Sequence, residues 1–443
     1  MRKFFAYAAV VLGAMLLVFA IALPTYVVPK GKVLPLDVVS TTATDPTPGN
    51  LLDASALASG KPVQDNGSKP ECQGKNPQIS CFMWKGLDMQ SQRFTTAQEP
   101  SNDKVITLEV GQTLFRNDRE EPKNLLSASI DRVTLDRKTQ MPVPDPVSTV
   151  QINAPAQSGP GEVKASVAPF TRTGITYQFP MGTDRKSYDY FDMQILKARP
   201  IDFVGEEEQD GQKVYRFEQT VPPTELYSAI RERLEQDGDI SVADEGTLAA
   251  LRLKFPAKVW GLTEDQIRKN NVTDNEPPVE ETDAEEAVDA RDKKEDDLGP
   301  EVEMSRYYTV HRTIWVQPDT GVIVNGNEDV FQYYAQDQAE ADEIAKNRDQ
   351  EIANPTRTAT FYPGKWNQAS KDAQMDKAME GKNKLRLMGT ILPWTLGIIG
   401  VLLLVVGFVL ARGSKRSAAA GEEYDHYDHY EHGNNHGNSF DNR

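Results

Sequence analysis

One stretch constrains what this chain can fold into. Met388 to Ala411 reads MGTILPWTLGIIGVLLLVVGFVLA, with no charge inside it, Arg386 before it and Arg412 after it. As a helix rising ~1.5 Å per residue it is about 36 Å long, enough to cross a ~30 Å hydrocarbon core with some tilt. A soluble core helix would show a polar face, and this run has none.

A second uncharged run, residues 4–24, follows Met1-Arg2-Lys3. It reads either as a secretory leader cut after Ala20-Ile21-Ala22 or as a retained anchor. Its length, beyond an ordinary leader's apolar region, favours retention. Basic residues flank both runs on both sides, so charge bias does not orient them. The leader-like start does. It predicts a protein of the cytoplasmic membrane with both termini in the cytoplasm, residues 1–3 and 412–443, and residues 25–385 outside. The second crossing is residues 386–411.

The stretch between the runs is long enough to bury a substantial core. The chain carries 66 Asp+Glu against 49 Lys+Arg, a formal charge of −17, which argues against a nucleic-acid partner. Its two cysteines, Cys72 and Cys81, both fall in the outer region. In an oxidising compartment they are expected to form one short disulfide loop.

Period-two alternation gives the outer region its character. Pro24 to Leu36 reads as an extended, proline-punctuated exit and Asp37 to Gly67 as mostly loop. Strands are expected at Val105–Val110 (Ile106, Leu108 and Val110 on one face), Ser129–Leu135, within Gly161–Pro180, and at Ile201–Glu207 and Lys213–Thr220 across an Asp210-Gly211 hairpin turn. On Tyr307–Val324, Tyr308, Val310, Arg312, Ile314 and Val316 share one face, before a Pro318-Asp319-Thr320-Gly321 turn. Leu226, Ile230 and Leu234 mark a short helix, Thr263-x-x-Gln266 a capping box, and Ala335–Ala353 and Asn367–Lys384 further helices. Residues 274–303 hold 14 acids against 3 bases and read as a disordered acidic insertion. The fold class expected is α+β and β-rich: a large antiparallel extracytoplasmic domain with short helices and one membrane helix at each end.

Two resemblances follow. Gly174-Ile175-Thr176-Tyr177-Gln178-Phe179-Pro180, Lys186 to Asp192, Tyr215-Arg216-Phe217 and Arg312-Thr313-Ile314-Trp315-Val316-Gln317-Pro318-Asp319-Thr320-Gly321 together resemble the PorA-family envelope proteins of actinobacteria over nearly the whole chain. The family's porin label implies a channel. The layout alone is similar to that of class B scavenger receptors, which implies an outer domain that binds or conducts lipid.

No nucleophile elbow, phosphate-binding Gly-rich loop or H-E-x-x-H occurs, so neither an enzyme nor a cofactor is expected. His311 reads as an ordinary strand residue. His426, His429, His432 and His436 in the Tyr/Asp/His-rich tail are weak metal candidates. Tyr177, Phe179, Tyr188, Tyr190, Phe191 and Trp315 are candidates to line an apolar cavity. Two helices do not enclose a pore, and the strands read as too short and irregular for a lipid-facing barrel. The leading expectation is therefore non-enzymatic handling of envelope lipid or another apolar ligand. The alternatives are a structural or assembly partner of envelope protein complexes and a porin-like channel component.

Overall fold

A computed structural model describes residues 2–154, 163–166, 169–235, 240, 242–268 and 298–422. The chain divides into two compact units, Met1–Lys32 with Gly381–Arg443, and Val33–Glu380.

The first unit is a pair of helices long and apolar enough to cross a membrane. The first, Arg2–Ala22, does not end at Pro24 as expected. It continues through a wide turn, Leu23–Val27, and a last turn, Val28–Gly31. A proline lacks the N–H for an ordinary helical bond and its ring crowds the carbonyl four residues back. The wide turn relieves this, closing with the Val28 N–H on the Leu23 carbonyl. A matching wide turn, Leu387–Ile391, precedes Pro393 in the second helix, which then runs Leu392–Glu422.

Glycines let the two helices touch. A Cβ on Gly13 would sit 2.7 Å from the Gly400 carbonyl oxygen, and one on Gly407 would sit 2.9 Å from that of Ala6. Lipid tails give helices no hydrophobic reason to associate, so close backbone approach at small residues supplies the attraction. Val18, Phe19, Ile398 and Val405 are more than half exposed on the outside of the pair, as a surface that meets lipid would be.

The second unit is built on one antiparallel sheet. Its strands are β1 (Val39–Ala43), β2 (Thr47–Leu52), β3 (Met83–Gln98), β4 (Val105–Arg116), β5 (Leu125–Asp136), β6 (Thr149–Ala154), β7 (Val163–Ser166), β8 (Tyr188–Asp192), β9 (Lys197–Gln209), β10 (Gln212–Glu225), β11 (Arg252–Pro256), β12 (Glu301–Gln317), β13 (Val322–Ala335) and β14 (Thr358–Lys365). Their order is β7-β6-β5-β4-β3-β2-β14-β13-β12-β10-β9-β8. Two long strands each take two shorter ones end to end along one edge: β3 takes β1 and β2, and β12 takes β10 and β11. Ile106, Leu108 and Val110 are at most 2% exposed. Tyr308, Val310, Arg312, Ile314 and Val316 are all buried, as period two predicts for one face of β12. At Asp210-Gly211 both residues have positive φ, the geometry a two-residue hairpin turn needs.

Several expectations need correction. Strands are longer than the pattern suggests, with 17 residues in β12 and 16 in β3. Asp37–Gly67 is not mostly loop; it holds β1, β2 and the helix Ala54–Ser59, whose first turn is capped by the Asp53 carboxylate accepting the Ala56 N–H at 3.1 Å. The Thr263/Gln266 capping box forms but opens only one tight turn, Glu264–Gln266. The expected helix at Ala335–Ala353 begins later, as Gln338–Lys346 and Arg348–Ala353, because β13 runs through Ala335. Most of the acidic insertion lies outside the described residues. Its end, Glu301–Glu303, is strand: Val302 is fully buried, and Lys254 and Arg252 of β11 pair Glu301 and Glu303 at 2.9 and 3.2 Å.

The Gly161–Pro180 stretch is not one strand either. After β7, its described residues from Phe170 on make isolated bridges that tie the two ends of the sheet order together. Phe170 bridges Ser148 just ahead of β6, and Ile175 bridges Tyr190 of β8. Its alternate residues are committed to different partners, so no continuous ladder forms.

Candidate functional site

One face of the sheet lines a cavity of about 810 Å³ within the second unit. The wall alternates along three strands, with Ser91 and Arg93 on β3, Gln112, Leu114 and Arg116 on β4, and Glu328, Val330 and Gln332 on β13, while β5 contributes the run Leu125 to Ser129 and β14 contributes Ala359, Thr360 and Tyr362. Leu226 and Ile230 of the helix Leu226–Leu234 close part of the opposite side.

Two charged knots support this wall. In the first, Arg312 is 6% exposed and lies between Asp192 (3.1 Å) and Glu328 (2.8 Å), and it also donates to Gln219. Asp192 is fully buried and accepts further bonds from the Tyr308 hydroxyl at 2.9 Å and the Gln194 N–H at 2.8 Å. Burial alone would raise the Glu328 carboxyl, but the charges of Arg312 and Arg93 outweigh it and hold it below its ordinary range. In the second, Arg116 is 1% exposed and grips Asp118 with two bonds of 2.6 and 2.7 Å. Arg116 and Arg119 each reach Asp53 at 3.3 Å. Burial pushes the Asp53 carboxyl up; the Trp84 indole N–H at 3.0 Å, the Ala56 N–H and the two arginines bring it below its usual value.

None of the six aromatic residues singled out from the sequence lines this cavity. Phe179, Tyr188 and Tyr190 pack with Phe217 in a core, the Phe179 and Phe217 rings 4.7 Å apart. Phe191 stacks on Phe170 and lies under the Arg172 guanidinium at 3.8 Å. Tyr177 donates to Asp131 at 2.5 Å, and the Trp315 indole donates to Glu207 at 2.7 Å. Cys72 and Cys81 are joined as a disulfide and sit in a separate buried cluster with Trp260 and Phe82. His426, His429, His432 and His436 lie outside the described residues. The residues that do line the cavity, Arg93, Gln112, Arg116 and Glu328 among them, were missed because a polar inward face at period two reads like a solvent-facing one.

The profile of a family described as Porin PorA matches residues 5–409. The chain belongs to the PorA family. A Porin PorA of Corynebacterium resistens is 62% identical over 425 residues, covering 94% of this chain and 98% of that protein. A Porin PorA of Corynebacterium amycolatum is 42% identical over 417 residues, covering 92% and 98%. The family and the two apolar helices place this PorA-family chain in a membrane.

The relatives' name overturns the lipid-handling expectation. Both full-length relatives are called porins, a name for passage rather than for holding an apolar ligand.

Proposed function

We propose that the chain is a component of a porin-like channel of the cell envelope, acting by solute passage and not by catalysis. The observation that carries this reading is the porin name of relatives 62% and 42% identical over nearly the whole chain. The geometry sets how such a channel would be built. Lys85 on β3 and Lys197 and Arg199 on β9 are exposed, and a lysine or arginine facing lipid costs ~2–4 kcal/mol at mid-bilayer. The sheet is therefore a unit that stands in water. Neither helix has a charge between Lys3 and Lys30 or between Arg386 and Arg412. A water path across the bilayer would need several copies of the helix pair, with charge selection supplied by the folded unit. Purified full-length protein added to planar bilayers should give discrete conductance steps. Silence at protein loads where a reference porin conducts would overturn the reading.

The same proposal places the sheet unit outside the cytoplasm, both ends inside, and the first helix uncleaved. The glycine contacts between Gly13 and Gly400 support retention, because removing the first helix would strip the second of its packed face. The intact mass of protein purified from its native membrane should include residues 4–22. A mature form beginning near Leu23 would refute retention.

A further inference from the structure

The cavity wall has the opposite charge balance to the chain. The whole sequence has 66 acids against 49 bases, yet the wall carries Arg93, Arg116, Arg119, Lys123 and Arg306 against only Asp53 and Glu328. Both wall acids are already engaged: Asp53 by Arg116, Arg119 and Trp84, and Glu328 by a direct pair with Arg312 and, at longer range, by the charge of Arg93. Counting the partners behind the wall, Arg312, Asp118 and Asp192, still leaves cations in excess. Among the described residues, no carboxylate lies within ion-pair distance of Arg93, Lys123 or Arg306.

Arg93 is the most telling of the three. It sits on β3 in mid-wall, half-buried, with one guanidinium arm on Gln112 Oε1 at 3.2 Å and its face toward the Tyr177 ring at 5.8 Å. Its Nε has no acceptor. Arg306 donates two bonds, 3.1 and 2.6 Å, to the Tyr334 hydroxyl, a neutral partner that leaves its charge unanswered. A planar guanidinium fixed by neutral neighbours is built for an oxyanion, which it can grip through two parallel bonds. A cleft with a surplus of one sign of charge within low-dielectric walls concentrates the opposite ion.

We propose that this cavity binds a small oxyanion, a phosphate, sulfate or carboxylate group, with Arg93 as its principal ligand. The inference is independent of the channel reading, since binding is measured on protein in detergent whether or not it conducts.

Titration calorimetry on the full-length protein, with inorganic phosphate and with sulfate at constant ionic strength, tests it. Saturable binding of either, absent with chloride, is expected. Arg93→Gln should weaken the affinity about tenfold or more, as loss of a charge-assisted bond does. Arg93→Lys, which keeps the charge and loses the fork, should weaken it several-fold and decides the matter if the glutamine variant does not fold. No saturable binding by the native protein overturns the site. Unchanged affinity in a folded Arg93 variant overturns the assignment to this cavity and leaves an adventitious ion only.

Discussion

Replacing Arg312 with methionine is expected to lower the unfolding free energy by about 3–5 kcal/mol, the usual cost of leaving one member of a buried charge cluster without its partner. Asp192 is fully buried on one side of the guanidinium, and Glu328 faces it on the other. Methionine fills the volume and answers neither carboxylate. The Tyr308 hydroxyl and the Gln194 N–H still reach Asp192, so the loss should fall toward the lower end of that range. Urea unfolding of the full-length protein in detergent, followed by tryptophan fluorescence, measures it; Trp84, Trp260, Trp315 and Trp366 all lie in the sheet unit. Adding Asp192→Asn to the methionine variant should restore part of the loss, because an amide needs no countercharge. A loss under about 1 kcal/mol, or no recovery in the double variant, would mean that the knot contributes no more than a surface pair.

This knot also explains how a charged residue came to lie on a strand's apolar face. The alternation on β12 puts Arg312 beside Tyr308, Val310, Ile314 and Val316, a position where an unpaired charge would be costly. Asp192 arrives at the end of β8 and Glu328 from the middle of β13. Asp192 is 120 residues from Arg312 in sequence, and Glu328, 16 residues away, is set opposite Arg312 by the β12–β13 register. A similar arrangement holds the closing segment: Arg172 reaches Asp131 of β5 at 2.6 Å, and Tyr177 reaches the same carboxylate.

What could be read from the sequence was what is local. The two apolar runs, the Asp210-Gly211 turn, the faces of β4 and β12 and the resemblance to the PorA family all rest on residues near one another along the chain. β3 shows why the remainder was hidden. Ser91 and Arg93 point into the cavity on the face that buries Leu87 and Met89, while Asp88 and Gln92 are exposed, so no continuous hydrophobic period marks the strand. β1, rich in Ser and Thr, reads as loop for the same reason and becomes strand only because an edge of β3 pairs with it. The aromatic residues left two readings open from sequence, cavity lining or sheet packing, and Phe179 and Tyr190 share a core cluster. A cavity wall that mixes polar and apolar residues on one strand face leaves no hydrophobic period to mark it.

Gly321→Ala should be among the most damaging single substitutions in the sheet unit, and it can be separated into two parts. The sequence announces the turn at Pro318-Asp319-Thr320-Gly321, and Gly321 does take positive φ, +72°. That conformation costs an alanine roughly 1–2 kcal/mol. Gly211 has nearly the same φ, +70°, and a Cβ there would meet nothing within 4 Å, whereas a Cβ at Gly321 would lie 2.0 Å from the Phe179 carbonyl oxygen. To admit the methyl group, the 179–183 segment must withdraw, losing the Phe179 N–H bond to the Gly321 carbonyl (2.9 Å) and the Thr183 N–H bond to the Pro318 carbonyl (2.8 Å). It would also pull Phe179 from its aromatic cluster. Gly211→Ala should therefore cost only the backbone strain, and Gly321→Ala that strain plus the displaced segment, in all more than about 4 kcal/mol, where large single-site losses begin. Urea unfolding of the two variants side by side gives the difference. Equal losses would show that the Phe179 segment can move aside freely and that the tie between the ends of the sheet is loose at this point.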